Sequence, residues 1–265
     1  MATTRIPFLT HIQLRRELVA SFDTYPFNLP VIRGLHSLPL HPCVTFLVGE
    51  NGTGKSTLLE GIAVALGINP EGGSIHMRFA TKPTHSELGD AIGLSRTRRH
   101  MRDGWFLRAE SFYNVATEID RLERESGGML RNYGGKSLHK QSHGESFLSL
   151  FRHRFGGGGV YLLDEPEAAL SPMRQLGFLS MLHDLVLDGA QFIIATHSPM
   201  IIAYPDSWTY VLDGERIERT GFEETEHFRV TRDFLVNPSR SLGVLLDRSD
   251  REEEGEGRGP NKYRT

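Results

Sequence analysis

Gly49-Glu50-Asn51-Gly52-Thr53-Gly54-Lys55-Ser56-Thr57 lies between an apolar run at 43–48 and a segment at 56–66 in which Leu58, Leu59, Ile62 and Leu66 recur at helical spacing. The run is bounded by Pro42 and Gly49 and reads as a buried central strand. Strand, glycine loop and helix in that order point to an α/β sheet. The stretch also fits the pattern G-x-x-x-x-G-K-[ST]. Its glycines let successive backbone N–H groups turn inward around a phosphate, beside the positive end of the helix that follows. In this reading Lys55 neutralises phosphate charge and the Ser56 hydroxyl is a ligand for Mg²⁺.

Working outward, 159–163 is a second apolar run, and it ends in Asp164-Glu165. Strand alternation places these two carboxylates on opposite faces, so that Asp164 reaches a metal shell while Glu165 reaches an attacking water as general base. A third run at 191–195 leads into Thr196-His197-Ser198-Pro199, where the imidazole of His197 is positioned to contact a terminal phosphate or to hold the catalytic carboxylate. Gln141-Ser142-His143-Gly144-Glu145-Ser146 precedes a helical segment, and Ser142 with the N–H groups of a helix start makes a second anion site.

The remainder of the chain alternates in the same way. Strands are expected at 8–14, 30–35, 105–109 and 208–212, helices at 111–124, 146–153 and 172–187, and a pair of short helices at 225–246. Residues 69–104 read as a small β-containing lobe and 127–140 as a glycine-rich loop. The expected fold class is therefore α/β: a P-loop NTPase with a mixed, largely parallel central sheet flanked by helices, a small antiparallel β lobe and a short helical lobe around Ser142. One domain is expected over 1–248, with a β/helical insertion at about 69–140. Charged residues 249–265, which hold few apolar groups, are expected to form a disordered tail.

Composition narrows the classes. The 265 residues are 38% hydrophobic and 24% charged, with a formal net charge of −3, which suits a globular chain and is silent on partners. Cys43, the single cysteine, excludes an internal disulfide and a cysteine metal cluster, and reads as a buried thiol. No run of eighteen apolar residues occurs, so membrane insertion is not expected and a cytoplasmic location is.

The order Lys55, Ser142, Asp164-Glu165, His197 resembles the ABC-type ATPase head, with its Walker A loop, signature, Walker B strand and switch histidine; the likeness runs from Phe8 to Leu246. It implies ATP and Mg²⁺ as cofactors, ATP hydrolysis, and a homodimer in the ATP state in which each signature completes the partner's site. Carried over, Gly49, Asn51, Gly52, Thr53, Gly54, Lys55, Ser56 and Thr57 hold the nucleotide, Ser56 and Asp164 stand on the metal side, and Glu165 and His197 are catalytic. Ser142, Gly144 and Glu145 make the contact in trans, with His143 where transporter signatures carry glycine. Glu110, or Arg108 near it, stands close to the place of the family's Mg²⁺-side glutamine, and Tyr25 or Phe27 close to that of the adenine-stacking aromatic.

Asp164-Glu165-Pro166-Glu167 and Leu170-Ser171-Pro172 look like the soluble branch related to DNA-repair and chromosome-maintenance heads (SMC and RecF types) and to standalone ATPases of bacterial defence systems; transporter subunits usually show D-E-P-T and S-A-L-D. A soluble nucleotide-driven switch is the expectation, and the nucleotide-binding subunit of a transporter is the alternative. The basic run Arg96, Arg98, Arg99 and Arg102 is a candidate for nucleic-acid phosphates, and a partner protein is expected. Replacing Lys55 by Ala should abolish ATP affinity, because it removes the cation from a site otherwise built of backbone dipoles. Isothermal calorimetry reads this directly, and unchanged binding would refute the assignment of the loop.

Overall fold

The computed structural model describes residues 5–77, 87–109 and 111–246, and the chain forms two compact units, Met1–Phe222 and Glu223–Thr265. In the first unit, β1 (Leu9–Leu14), α1 (Pro30–Arg33), β2 (Leu38–Pro39), β3 (Val44–Val48), α2 (Lys55–Leu66), β4 (Gly73–Ser74), α3 (Leu88–Ala91), β5 (Ile92–Arg96) and β6 (Asp103–Arg108) come first. They are followed by α4 (Phe112–Ser126), α5 (His143–His153), β7 (Gly159–Asp164), α6 (Pro172–Leu187), β8 (Gln191–Ala195), α7 (Pro199–Ile202), β9 (Ser207–Leu212) and β10 (Ile217–Thr220). The second unit contains α8 (Glu226–Val236) and α9 (Pro238–Leu246), the helix pair expected at 225–246.

A seven-stranded sheet in the order β10-β9-β3-β8-β7-β6-β4 carries the fold. The strands from β9 to β6 are parallel, while β10 and β4 close the edges antiparallel. Strands β3, β7 and β8 are buried along their whole length, which is why they read as continuous apolar runs. Their alternate side chains feed two cores. Phe46, Trp105, Tyr161, Leu163, Phe192 and Ile194 pack with Ile119 of α4, Phe147 and Phe151 of α5 and Phe178 of α6. Leu47, Phe106, Val160, Leu162 and Ile193 pack with Leu58 and Ile62 of α2 and with the three-stranded antiparallel sheet β2-β1-β5. Gln191, almost fully buried, ties the two sheets: its Oε1 accepts the N–H groups of Phe8 and Leu9 and its Nε2 donates to the carbonyls of Leu9 and His41.

Two expectations differ from this arrangement. Residues 30–35 begin with the short helix α1 instead of a strand, since Pro30 at the first helical position has the φ that a helix start needs. The expected lobe at 69–104 is divided between two sheets: β4 adds to the edge of the main sheet and β5 pairs with β1, so the small antiparallel sheet draws on the N-terminal strand β1. Glu110 and the tail at 249–265 lie outside the described residues. Cys43 is a buried thiol, as expected.

Phe151 stacks on Phe147 and Phe192, tilts against Phe155 and meets Phe178 edge to face, at centroid distances of 5.4, 6.4, 4.7 and 4.9 Å, joining α5 and α6 to the sheet. Truncation to Ala should leave a cavity there and cost about 3–5 kcal/mol, read as a fall in the denaturant midpoint. A shift of a few tenths of a kcal/mol would show that α5 is not anchored through this ring.

Candidate functional site

Loops leaving the C-terminal ends of β3, β8 and β7 converge at one edge of the sheet, because Leu47 pairs with Ala195 and Ala195 with Asp164 across three neighbouring strands. After β3 the chain turns through Gly49, Gly52 and Gly54, all at positive φ, into α2. Gly49 has no room for a side chain: a Cβ there would lie 2.1 Å from the Leu212 carbonyl. Asn51 and Gly52 are exposed at the tip, and the Thr53 hydroxyl donates to the Glu50 carbonyl at 2.9 Å. Lys55 is buried, and its Nζ donates to the carbonyls of Gly49 and Glu50 at 2.7 and 2.8 Å. Burial pushes its ammonium below the usual lysine range, against the pull of Glu165, Asp164, Glu50 and Glu167, so a compact cation is held inside the loop.

The Ser56 hydroxyl donates to Asp164 Oδ1 at 3.1 Å, joining the start of α2 to the end of β7. These are hard oxygen donors on one side of a phosphate loop, and they fit Mg²⁺, which prefers one or two protein oxygens together with phosphate oxygens. Arg108 Nε stands 3.6 Å from Asp164 Oδ2 and its Nη1 donates to Glu60 at 3.2 Å, so the carboxylate is shared between a cation and the Ser56 side. Of the two residues weighed for the metal-side position, Arg108 is thus the one whose placement is seen beside Asp164.

Glu165 departs from the alternation expected for it. β7 ends at Asp164, and Glu165 turns into the left-handed region (φ 51°, ψ 55°) with its N–H on the Ala195 carbonyl. A strained turn rather than a pleat therefore separates the two acids. Its Oε1 lies 3.7 Å from His197 Nε2. Burial, with Lys55 adding to it and Glu165 opposing, lowers the His197 pKa, which keeps the imidazole neutral at pH 7.

No family model matches the chain. Curated relatives include the cobalt import ATP-binding protein CbiO of Salmonella typhimurium, 28% identical over 259 residues that cover 85% of this chain and 90% of that protein. The nucleoside import ATP-binding protein NupA of Lactococcus lactis is 23% identical, and the macrolide export ATP-binding/permease protein MacB of Haemophilus ducreyi 26% identical. These matches cover 65% and 66% of this chain but only 37% and 27% of the relatives. Among solved structures, cbiO1 from Clostridium perfringens, part of the ABC transporter complex cbiONQ, aligns with a TM-score of 0.46 at 18% identity over 90% of this chain and 99% of that one.

The chain is similar to ATP-binding proteins of the ABC type. The relatives named above are transporter proteins and lend no support to the DNA-repair branch expected from the sequence. Ser142 caps α5, with its N–H donated to Glu145 Oε2 at 3.0 Å. Ser142, His143 and Glu145 are exposed and Gly144 is buried. Arg174 of α6 reaches over this turn, its Nη1 donating to the Ser142 hydroxyl at 3.4 Å and its Nη2 lying 3.6 Å from Glu145 Oε1. A Cβ on Gly144 would meet Arg174 Nη1 at 2.3 Å and the Ala169 carbonyl at 2.8 Å, which is why glycine stands there. The two aromatic candidates separate: Phe27 is buried in the core, whereas Tyr25 is 65% exposed with its hydroxyl 3.2 Å from that of Thr57 in the first turn of α2.

Glu167 was quoted from sequence as a branch marker and not as a residue that positions the site. One of its oxygens accepts the Thr196 hydroxyl at 2.8 Å and the other the His197 N–H at 2.6 Å, so it holds the loop that presents the imidazole. Burial, to which Glu165 adds, raises its pKa against these donated bonds. Gln175 supports the same loop, with its Oε1 accepting the Ser198 hydroxyl at 2.6 Å. The sequence signal was an acid two residues after Glu165, where transporter subunits usually carry threonine. Glu167→Gln removes one of the two acceptors that hold the switch loop; kcat for ATP should fall about tenfold while nucleotide affinity holds, because His197 is displaced and the phosphate loop is not. Steady-state turnover together with calorimetry checks this, and unchanged kcat would remove Glu167 from the positioning of His197.

Proposed function

We propose that this head hydrolyses ATP when two copies close face to face, each supplying Ser142 and the N–H groups around Gly144 to the nucleotide on the other. The observation that carries the reading is the Ser56–Asp164 hydrogen bond with Glu165 and His197 immediately beside it, a set of groups facing a phosphate loop. Lys55, now on loop carbonyls, meets better acceptors in the β and γ phosphate oxygens. Ser56 and Asp164 would hold Mg²⁺ beside the nucleotide, and the ion would supply compensation of phosphate charge there. Glu165 accepts the proton of the attacking water, and neutral His197 orients it and the terminal phosphate. Exposed Tyr25, beside Thr57, is our choice for the adenine contact.

The curated relatives support a nucleotide-binding subunit that works at the cytoplasmic side of a membrane with separate membrane partners. Among the described residues no helix is long and apolar enough to cross a membrane. A standalone switch is the second reading, favoured by Glu167, which occupies and uses the position where transporter subunits usually carry threonine. Purification of tagged Glu165→Gln protein from detergent-solubilised native cells with ATP separates the two: a co-purifying integral membrane protein supports the first, and its absence from a complex with soluble partners supports the second.

Glu165→Gln should retain ATP binding, lose turnover by about a hundredfold or more, and accumulate as an ATP-dependent dimer, since an amide cannot accept the proton. Adding Ser142→Arg should block that dimer without loss of binding through Lys55. Light scattering with and without ATP and Mg²⁺ decides: a Glu165→Gln chain monomeric at saturating ATP, or a double variant that dimerises as well, refutes closure through the signature.

A further inference from the structure

The basic run that the nucleotide site leaves unused folds into a cavity at the opposite end of the sheet. Residues 97–102 connect β5 to β6, and Arg99, His100 and Arg102 line a cavity of about 510 Å³ together with Gly157, Gly158 and Asp188. Gly157 and Gly158 precede β7, whose other end carries Asp164, so the cavity lies roughly 17 Å from the metal-side carboxylate at about 3.3 Å per strand residue. Its backbone is tied across the cavity. The Arg102 N–H donates to the Gly158 carbonyl at 2.9 Å and Asp188 accepts the Gly157 N–H at 2.8 Å. Arg99 lies over the Phe8 ring at 3.9 Å and donates to the carbonyls of Ile6 and Gly157 at 3.2 and 3.1 Å. Gly157 is required for this closure, since a Cβ there would sit 2.0 Å from the Asp188 carbonyl.

The balance of donors is one-sided. Each guanidinium carries five N–H donors, of which Arg99 spends two on these carbonyls, while the Arg102 side chain bonds none of the described residues. Facing them is one carboxylate, Asp188, already engaged by a backbone N–H. We propose that this cavity binds a small phosphate monoester, whose terminal oxygens offer more acceptors to two guanidinium forks and an imidazole than a carboxylate does. Its volume falls in the range of small-molecule sites. A nucleic-acid stripe fits less well, because Arg96 and Arg99 are engaged by backbone carbonyls and Arg98 does not line the cavity.

The test is calorimetric titration of the full chain with glucose 6-phosphate and, separately, inorganic phosphate, after saturation of the nucleotide loop with Mg²⁺ and a non-hydrolysable ATP analogue. One saturable site per chain is expected for the sugar phosphate, weakened about tenfold or more by Arg102→Ala and left unchanged by Arg98→Ala. Arg102→Lys, which keeps charge and loses the fork, should bind more weakly than the parent and better than Arg102→Ala. Absence of binding by either phosphate, or binding indifferent to Arg102→Ala, would overturn the proposal. So would salt-sensitive binding of single-stranded DNA that Arg98→Ala and Arg102→Ala weaken alike without saturable phosphate binding.

Discussion

The site depends on the hydrogen bond between the Ser56 hydroxyl and Asp164, and that bond depends on strand register. Leu47, Ala195 and Asp164 lie in one line across β3, β8 and β7, so the three loops that follow start level with one another. With neighbouring strands about 4.8 Å apart, β3 and β7 stand roughly 10 Å from each other, a gap that the Walker A turn and the first residue after Lys55 can cross. A slip of one residue in either pairing would turn Asp164 to the other face and break the link. Burial of both faces of these strands by two separate cores holds the register.

Acidic groups outnumber cations at this edge. Lys55 and Arg108 stand among Asp164, Glu165, Glu167 and Glu50, and Lys55 is buried deeply enough that burial outweighs the carboxylates around it. Glu167 responds in the opposite direction, its carboxyl pushed up by burial and by Glu165 while Thr196 and His197 donate to it. A triphosphate entering such a site brings more negative charge to the one lysine already in place, and this favours Mg²⁺ on the Ser56–Asp164 side over a bare anion.

The parts legible in the sequence were those whose chemistry is local. The phosphate loop, the acidic end of β7 and the histidine after β8 each follow a continuous apolar run, so pattern and position agreed. Glu167, Arg108, Arg174 and Gln175 act on partners far away in the chain: Glu167 is 30 residues from His197, Arg108 is 48 from Glu60, and Arg174 is 32 from Ser142. Nothing local marks such residues. Phe27 and Tyr25 were equivalent as sequence and were separated by burial alone. At 30–35, β-branched residues after a proline suggested a strand, and the proline instead starts a helical turn. Glu167, one of the motif variants that suggested a soluble branch, braces the switch loop.

A single head, on this account, holds a nucleotide and a base but lacks the donors that Ser142 and Gly144 give to a partner. The most direct test is specific ATPase activity measured over a wide range of protein concentration at saturating ATP and Mg²⁺, with mass followed in the same samples. Activity per chain that rises with concentration in step with the dimer fraction is the predicted result; activity per chain that stays constant while the protein is monomeric would contradict it.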